Sequence, residues 1–262
     1  MTTTTLTVER RGHILMMGFN RPEKRNAMTL DTYRELAAAY GELDRDPELW
    51  CGVLYGVGDH FTAGLDLTQW APVFAAGKWP DIPASSIEPF GLDESRRCRK
   101  PVVVAARGVS FTVAIELMLA ADMRVAAPDT RFGQIEVKRG FYPCGGATVR
   151  LAQEIGWGNA MDLILTGREF SGEEAQRLGF VQRLVPAAQV LDTAVALAEE
   201  ICRQAPLGVQ AALKLARVAR VKGDEAGLKA MLPDLVPIMK TEDAREAVRA
   251  FGEKRAPVFT GR

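Results

Sequence analysis

Two glutamates stand where an apolar segment ordinarily carries none: Glu116 inside FTVAIELMLAA, residues 111–121, and Glu136 inside FGQIEVKRGFYPCGG, residues 132–146. An unpaired carboxylate is costly to bury, so a glutamate in such a run is either bonded to a partner or kept for chemistry. Between them lie the end of an expected helix, Asp122, an expected strand at Met123 to Ala126 and a turn at Pro128, an order that can return both carboxylates to one pocket. Two carboxylates in an apolar site divide into proton donor and proton acceptor, because their surroundings push their pKa values apart. The competing reading is a buried structural salt bridge, with Arg124 or Arg139 as partner.

The elements that must position these residues follow from hydrophobic periodicity. HILMMGF (13–19), CGVLYG (51–56) and PVVVAA (101–106) read as buried strands, the last feeding the helix that carries Glu116. Leu30, Tyr33, Leu36, Ala37, Tyr40 and Leu43 recur at helical spacing. Strands alternating with helices predict an α/β domain. Ser171 opens a capping box onto Glu174 and a short helix, followed by an expected strand at FVQRLV, 180–185. After Pro186 the pattern is helical to about Phe251, with breaks expected at Pro206, Gly223, Pro233 and Pro237. The organisation expected is therefore a core at 1–186 and a helical region at 187–262. Residues 70–98 carry Trp70, Phe74, Trp79 and Phe90 among four prolines and read as an irregular segment, either a lid or pocket wall or a surface excursion pinned by its rings.

At 262 residues the chain can bury a substantial core, and 33 basic against 33 acidic residues argue against a nucleic-acid protein driven by a basic surface. Four cysteines without short spacing and only two histidines supply no metal-ligand cluster. They read as reduced thiols of a cytoplasmic protein. Cys144, beside a glycine pair, reads better as a small apolar residue than as a nucleophile. MTTTTLTVER lacks the basic start and apolar stretch of a signal peptide, and no apolar run is long enough to span a bilayer, so no membrane association is expected.

The segment GVGDHFTAGLDL, residues 56–67, follows a strand and opens toward a helix. Its glycines permit close backbone approach, and free N–H groups at a helix start suit an anion or a developing oxyanion. It matches neither a P-loop nor a Rossmann fingerprint. FTAGLDL, 61–67, resembles the F-x-A-G-x-D-[LI] signature of the crotonase, or enoyl-CoA hydratase/isomerase, superfamily. NRPEKRNAM at 20–28, ELMLAADMRVA followed by TRFGQIEV, and FGEKRAPVFTGR at 251–262 are similar to further segments of that family, in the same order.

The resemblance implies an α/β fold, a spiral of ββα units with a helical C-terminal region that forms trimers, often paired into hexamers. It implies an acyl-coenzyme A thioester as ligand, with coenzyme A entering as part of the substrate and no separate cofactor. By the same resemblance Leu65 and Val113 supply the two backbone N–H groups of an oxyanion hole, and Glu116 and Glu136 are the acid and base. Glu136 exchanges the proton at the α-carbon. Ala63, Asp66 and Leu67 would meet the adenine through their backbone, Lys24 and Arg25 the phosphates, and Phe251 and Lys254 the coenzyme of a neighbouring subunit. The activity implied is a lyase adding or removing water across the double bond of a 2-enoyl-CoA. The alternatives are a double-bond isomerase and a non-catalytic acyl-CoA binding protein. One departure stands out: GVSFTVAIEL, 108–117, has Val113 where the family usually has glycine. A β-branched residue there is expected to alter the hole, reshape the acyl pocket or abolish the activity. A serine-protease reading through Ser110 finds no supporting histidine motif.

Overall fold

The computed structural model describes residues 4–262, so the first three residues of MTTTTLTVER lie outside it. The larger sheet has six strands among the described residues, named here in their order across it. Its strands are β1 (Leu6–Arg11), β2 (Ile14–Phe19), β3 (Cys51–Gly56), β4 (Val102–Ala106), β6 (Met123–Ala126) and β9 (Arg183–Leu184). Only the β1–β2 pair is antiparallel. Period-two alternation sends Leu15, Met17, Phe19, Leu54 and Val104 into one core and Ile14, Met16, Val53, Val103 and Val125 into another. Both faces are therefore buried, which is why these strands read as continuous apolar runs. The second face is covered by α7 (Val190–Cys202) through Val190, Ala194, Leu197 and Ala198, one stripe of that helix.

A smaller three-stranded sheet holds β5 (Val109–Phe111), β7 (Arg131–Gly133) and β8 (Glu169–Ser171), with β5 and β7 parallel. The α/β class, α1 (Leu30–Arg45), β6 and the helix carrying Glu116, α3 (Val113–Ala120), stand as expected. α6 (Gly172–Arg177) begins at Ser171, whose hydroxyl accepts from the Glu174 N–H. The box is half formed, because the Glu174 carboxylate turns to Arg168.

Several expectations fail for local reasons. The segment 70–98 is not irregular at its start: α2 (Leu67–Ala75) carries Trp70 and Phe74 and runs through Pro72. The strand expected at 180–185 shrinks to β9, because Phe180 and Val181 both donate to the Ala175 carbonyl and curl back on α6. α4 (Ala147–Ile155) and α5 (Trp157–Thr166) stand in a stretch for which the periodicity gave no element. Pro206 starts α8 (Pro206–Lys222), and Gly223 separates it from α9 (Asp224–Ile238). Pro233 and Pro237, however, lie inside α9. Each removes a helical hydrogen bond, but both are exposed, so water can serve the carbonyls they strand. After α10 (Glu242–Glu253) the tail folds back, its Thr260 and Gly261 N–H groups donating to the buried Asp243 carboxylate. No helix among the described residues is long and apolar enough to cross a membrane.

Candidate active site

Three chain segments run side by side in parallel at the small sheet. Thr62 bridges Ser110, and Ser110 pairs with Phe132. Counting onward from that row, three residues lead to Leu65, to Val113 and to Ile135, with Glu136 next. The register thus brings residues far apart in sequence to one edge, at the C-terminal ends of parallel strands where α/β proteins bind ligands. Gly64 makes the close packing possible. Its φ is +112°, and a Cβ there would lie 2.3 Å from the Thr112 hydroxyl.

At this edge lies a cavity of about 510 Å³. Of the residues singled out by sequence, Glu116, Glu136, Leu65, Val113, Lys24, Ala63, Asp66 and Leu67 line it. Arg25, Phe251 and Lys254 do not. Arg25 is an exposed left-handed cap of the 3-10 turn Pro22–Lys24, Lys254 caps α10, and Phe251 is 88% exposed. Sequence reasoning assigned no site role to Thr112, Ile135, Phe141 or Tyr142, which also line the cavity.

Glu116 is 2% exposed and Glu136 3%. One Glu116 oxygen accepts from the Gly145 N–H at 2.6 Å and the Ala147 N–H at 3.3 Å. Oε2 of Glu136 has no partner among the described residues. Burial pushes the Glu116 carboxyl up to about 7, against the pull of those two amides. Burial and the neighbouring Glu116 push Glu136 up to about 8. The two carboxyls titrate as a pair, and charge is favoured more on Glu116, by two amides from the 145–147 turn, than on Glu136, which has only its own backbone to lower it and the Glu116 charge to raise it. The salt-bridge reading is not supported: Arg124 instead binds Glu154 at 2.6 Å and the Phe180 carbonyl, and Arg139 forms no ion pair among the described residues.

The N–H groups of Leu65 and Val113 have no acceptor among the described residues, and Val113 is the first residue of α3. Both residues line the cavity, and amides without acceptors are donors that a developing oxyanion can use. The valine sits in the helix without backbone conflict; the strained residue is its neighbour. Thr112 has φ 53° and ψ −110°, a conformation β-branched residues avoid, as the chain turns from β5 into α3. Ser110 is fully buried and His60 Nδ1 is met by the Val109 N–H, so no serine–histidine pair forms. Desolvation and the two carboxylates push the Cys144 thiol up to about 11, which suits the apolar reading of that residue.

The N–H groups of Ala63 and Asp66 are occupied by the Arg25 and Met28 carbonyls at 2.9 Å each. The Asp66 carbonyl in turn accepts from the Gln69 and Trp70 N–H groups, so of these two residues only the Ala63 carbonyl lacks a main-chain partner among the described residues.

The family model described as enoyl-CoA hydratase/isomerase matches residues 9–262. An enoyl-CoA hydratase of Mycobacterium tuberculosis is 36% identical, covering 97% of this chain and 96% of its own. A carnitinyl-CoA dehydratase of Salmonella enteritidis is 34% identical over 98% and 99%. Among solved structures, a probable enoyl-CoA hydratase/isomerase from Mycobacterium abscessus superposes with a TM-score of 0.94 at 45% identity, covering 98% of this chain and 99% of that one.

Proposed function

The chain belongs to the enoyl-CoA hydratase/isomerase family, and from that premise we propose that it adds water to, and removes it from, the α,β double bond of a 2-enoyl-CoA. The observation that carries this reading is the pairing in one cavity of two buried glutamates, both with raised pKa values, beside two N–H groups that lack acceptors. Glu116, its charge favoured by the Gly145 and Ala147 amides, takes a proton from water as the oxygen bonds to the β-carbon. The electron pair of the double bond moves toward the thioester, and the Leu65 and Val113 N–H groups hold the oxygen that gains charge. Glu136, the member of the pair that keeps its proton, delivers it to the α-carbon. The pair ends with the proton on Glu116 instead of Glu136 and resets by exchange with water.

Coenzyme A enters as part of the thioester. Its adenine would meet backbone groups of Ala63, Asp66 and Leu67, and Lys24 would meet phosphate at the cavity mouth, with Arg25 beside it. Residues 1–186 form the catalytic core in this proposal, and the helical region 187–262 carries assembly into a trimer or dimer of trimers. Leu228, Met231, Leu232, Leu235, Met239 and Phe251 leave apolar surface on α9 and α10 that a second copy would cover. Phe251 and Lys254 would then serve a neighbouring copy's coenzyme. Four unpaired cysteines accord with a cytoplasmic location.

The test is crotonyl-CoA in oxygen-labelled water. Label at the β-carbon of a 3-hydroxy product supports the proposal; a moved double bond without label would make the chain an isomerase, and binding without either product a carrier.

A further inference from the structure

The catalytic cavity does not end at the glutamates. A second cavity of about 490 Å³ shares Leu67, Phe141, Tyr142 and Cys144 with it and continues between α2 and the loop that follows. Its remaining wall is apolar and largely aromatic: Ala71, Phe74, Trp79 and Leu92, with Lys78 at the exposed rim. Each cavity alone falls in the range of ligand pockets, roughly 300–1,000 Å³. A four-carbon acyl group bound with its double bond at the glutamates would leave the second chamber without substrate.

The chamber is a built feature. Trp79 donates its indole N–H to the Tyr33 hydroxyl at 2.7 Å and packs edge-on against Trp70 and Phe90. The loop carrying Phe90 and Leu92 is pinned by the Glu88 carboxylate, which accepts from both of their N–H groups. Arg150 holds the same loop from α4 by donating to the Phe90 and Gly91 carbonyls. This much support would be needless for rings that only pin a surface excursion.

We propose, resting on the hydratase reading, that the preferred substrate carries a bulky, apolar acyl group of about ten carbons or more, whose tail leaves the catalytic cavity between Leu67 and Tyr142 and occupies this chamber. The four lining residues that the two cavities share set the chamber directly beside the catalytic cavity, which points to the substrate's own tail as the occupant rather than a separate ligand. Beyond Lys78 at the rim and the Tyr142 hydroxyl and Cys144 thiol beside the catalytic cavity, the lining is apolar, so the tail is recognised by volume and hydrophobic burial. Each methylene fully buried there raises affinity by up to roughly fourfold.

The experiment compares kcat/KM for hydration of trans-2-enoyl-CoA thioesters with four, eight and twelve carbons. In parallel, calorimetry gives Kd for saturated butanoyl-CoA and dodecanoyl-CoA, which need no turnover. A rise of tenfold or more in kcat/KM from four to twelve carbons, and a Kd at least tenfold lower for dodecanoyl-CoA, are expected. Ala71→Trp, which fills the chamber from α2, should collapse both ratios at least fivefold, and Leu92→Trp repeats the test from the loop should the first variant fail to fold. Flat ratios in the wild-type protein, or ratios that survive both folded variants, overturn the inference while leaving hydration of crotonyl-CoA intact. Absence of all turnover with a steep Kd ratio would instead remove the hydratase reading and keep the chamber.

Discussion

Around Glu116 and Glu136 the site is made of main chain: Gly145 and Ala147 amides hold one carboxylate, Leu65 and Val113 amides stand free, and Gly64 lets the strands close up. The chamber next to it is made of rings, with Trp70, Phe74 and Trp79 at centroid separations of 5.4 to 5.9 Å. Main-chain groups are fixed by register and cannot be altered by one substitution without moving a strand or a turn. A wall of rings can be widened, plugged or reshaped with the sheet untouched. The difference teaches where variation is tolerated: chemistry is tied to the topology, and acyl preference is free to drift with side-chain volume.

The largest test of that division removes the two side chains that the main-chain end does depend on. Glu116→Gln and Glu136→Gln should each lower kcat by about a hundredfold or more with little change in thioester affinity, since shape is kept and only the titrating group is lost. Steady-state kinetics with calorimetric binding would check it. A variant retaining near-native kcat would make that glutamate structural.

A second test is the pH profile. Chemistry needs one proton on the pair, so kcat/KM should peak between pH about 7 and about 8, falling on the acid side as both carboxyls protonate and on the alkaline side as both ionise. The same shifts affect stability, with a definite sign. Both folded pKa values lie above the ordinary glutamate value of 4.5, so the unfolded chain gives up its protons first. The stability these two groups contribute is therefore fully present below pH about 4.5 and is lost as pH rises to about 8. Glu136→Gln should melt above wild type at pH 8 and level with it near pH 4.5, as calorimetry would record.

Part of this site could be read in the sequence, and the reason is chemical. Glu116 and Glu136 announce themselves as charges in apolar runs, and FTAGLDL as glycine beside a helix start. β2, β3 and β4 were legible because both their faces are buried. The segment from Phe141 to Ala147 was not, because it contributes amide groups and ring edges, and every residue type but proline carries an amide. The start of α2 was legible at the end of GVGDHFTAGLDL, but its run through Pro72 was not, and Pro233 and Pro237 misled in α9, since a helix exposed on one side tolerates a missing bond. Thr112 was passed over for Val113: composition marks a missing glycine, but only φ tells which of two neighbours carries the strain.

A third prediction probes how tightly main chain and carboxylate fit. A Cβ on Gly145 would lie 2.6 Å from Glu116 Oε2 and 3.2 Å from the Phe90 ring. Gly145→Ala should therefore shift the carboxylate from its amides and cost about tenfold to a hundredfold in kcat, with KM less affected. Gly158→Ala, where nothing lies within 4 Å, is the matched control and should leave kinetics unchanged. If Gly145→Ala keeps native kcat, the backbone there yields easily and the contrast with the ring-lined chamber is weaker than drawn.

The smallest effect expected concerns stability, at the turn where β5 becomes α3. Thr112 holds φ 53° and ψ −110°, a conformation that costs a β-branched residue about 1–3 kcal/mol. Glycine adopts it freely but gives the unfolded chain more freedom, offsetting about 0.4–1 kcal/mol. The balance for Thr112→Gly is a stabilisation on the order of 1 kcal/mol, a rise in Tm of about 2–4 °C for a chain of this size. Turnover should stay within about threefold of wild type, because the Val113 N–H is placed by the helix and by the Thr112 N–H bond to the Gly133 carbonyl at 2.8 Å, which glycine retains. A fall in Tm would mean that the threonine side chain, pressed against Gly64, contributes more by packing than its backbone costs. In that case the main-chain end of the site, like the chamber, would be held by side-chain volume after all.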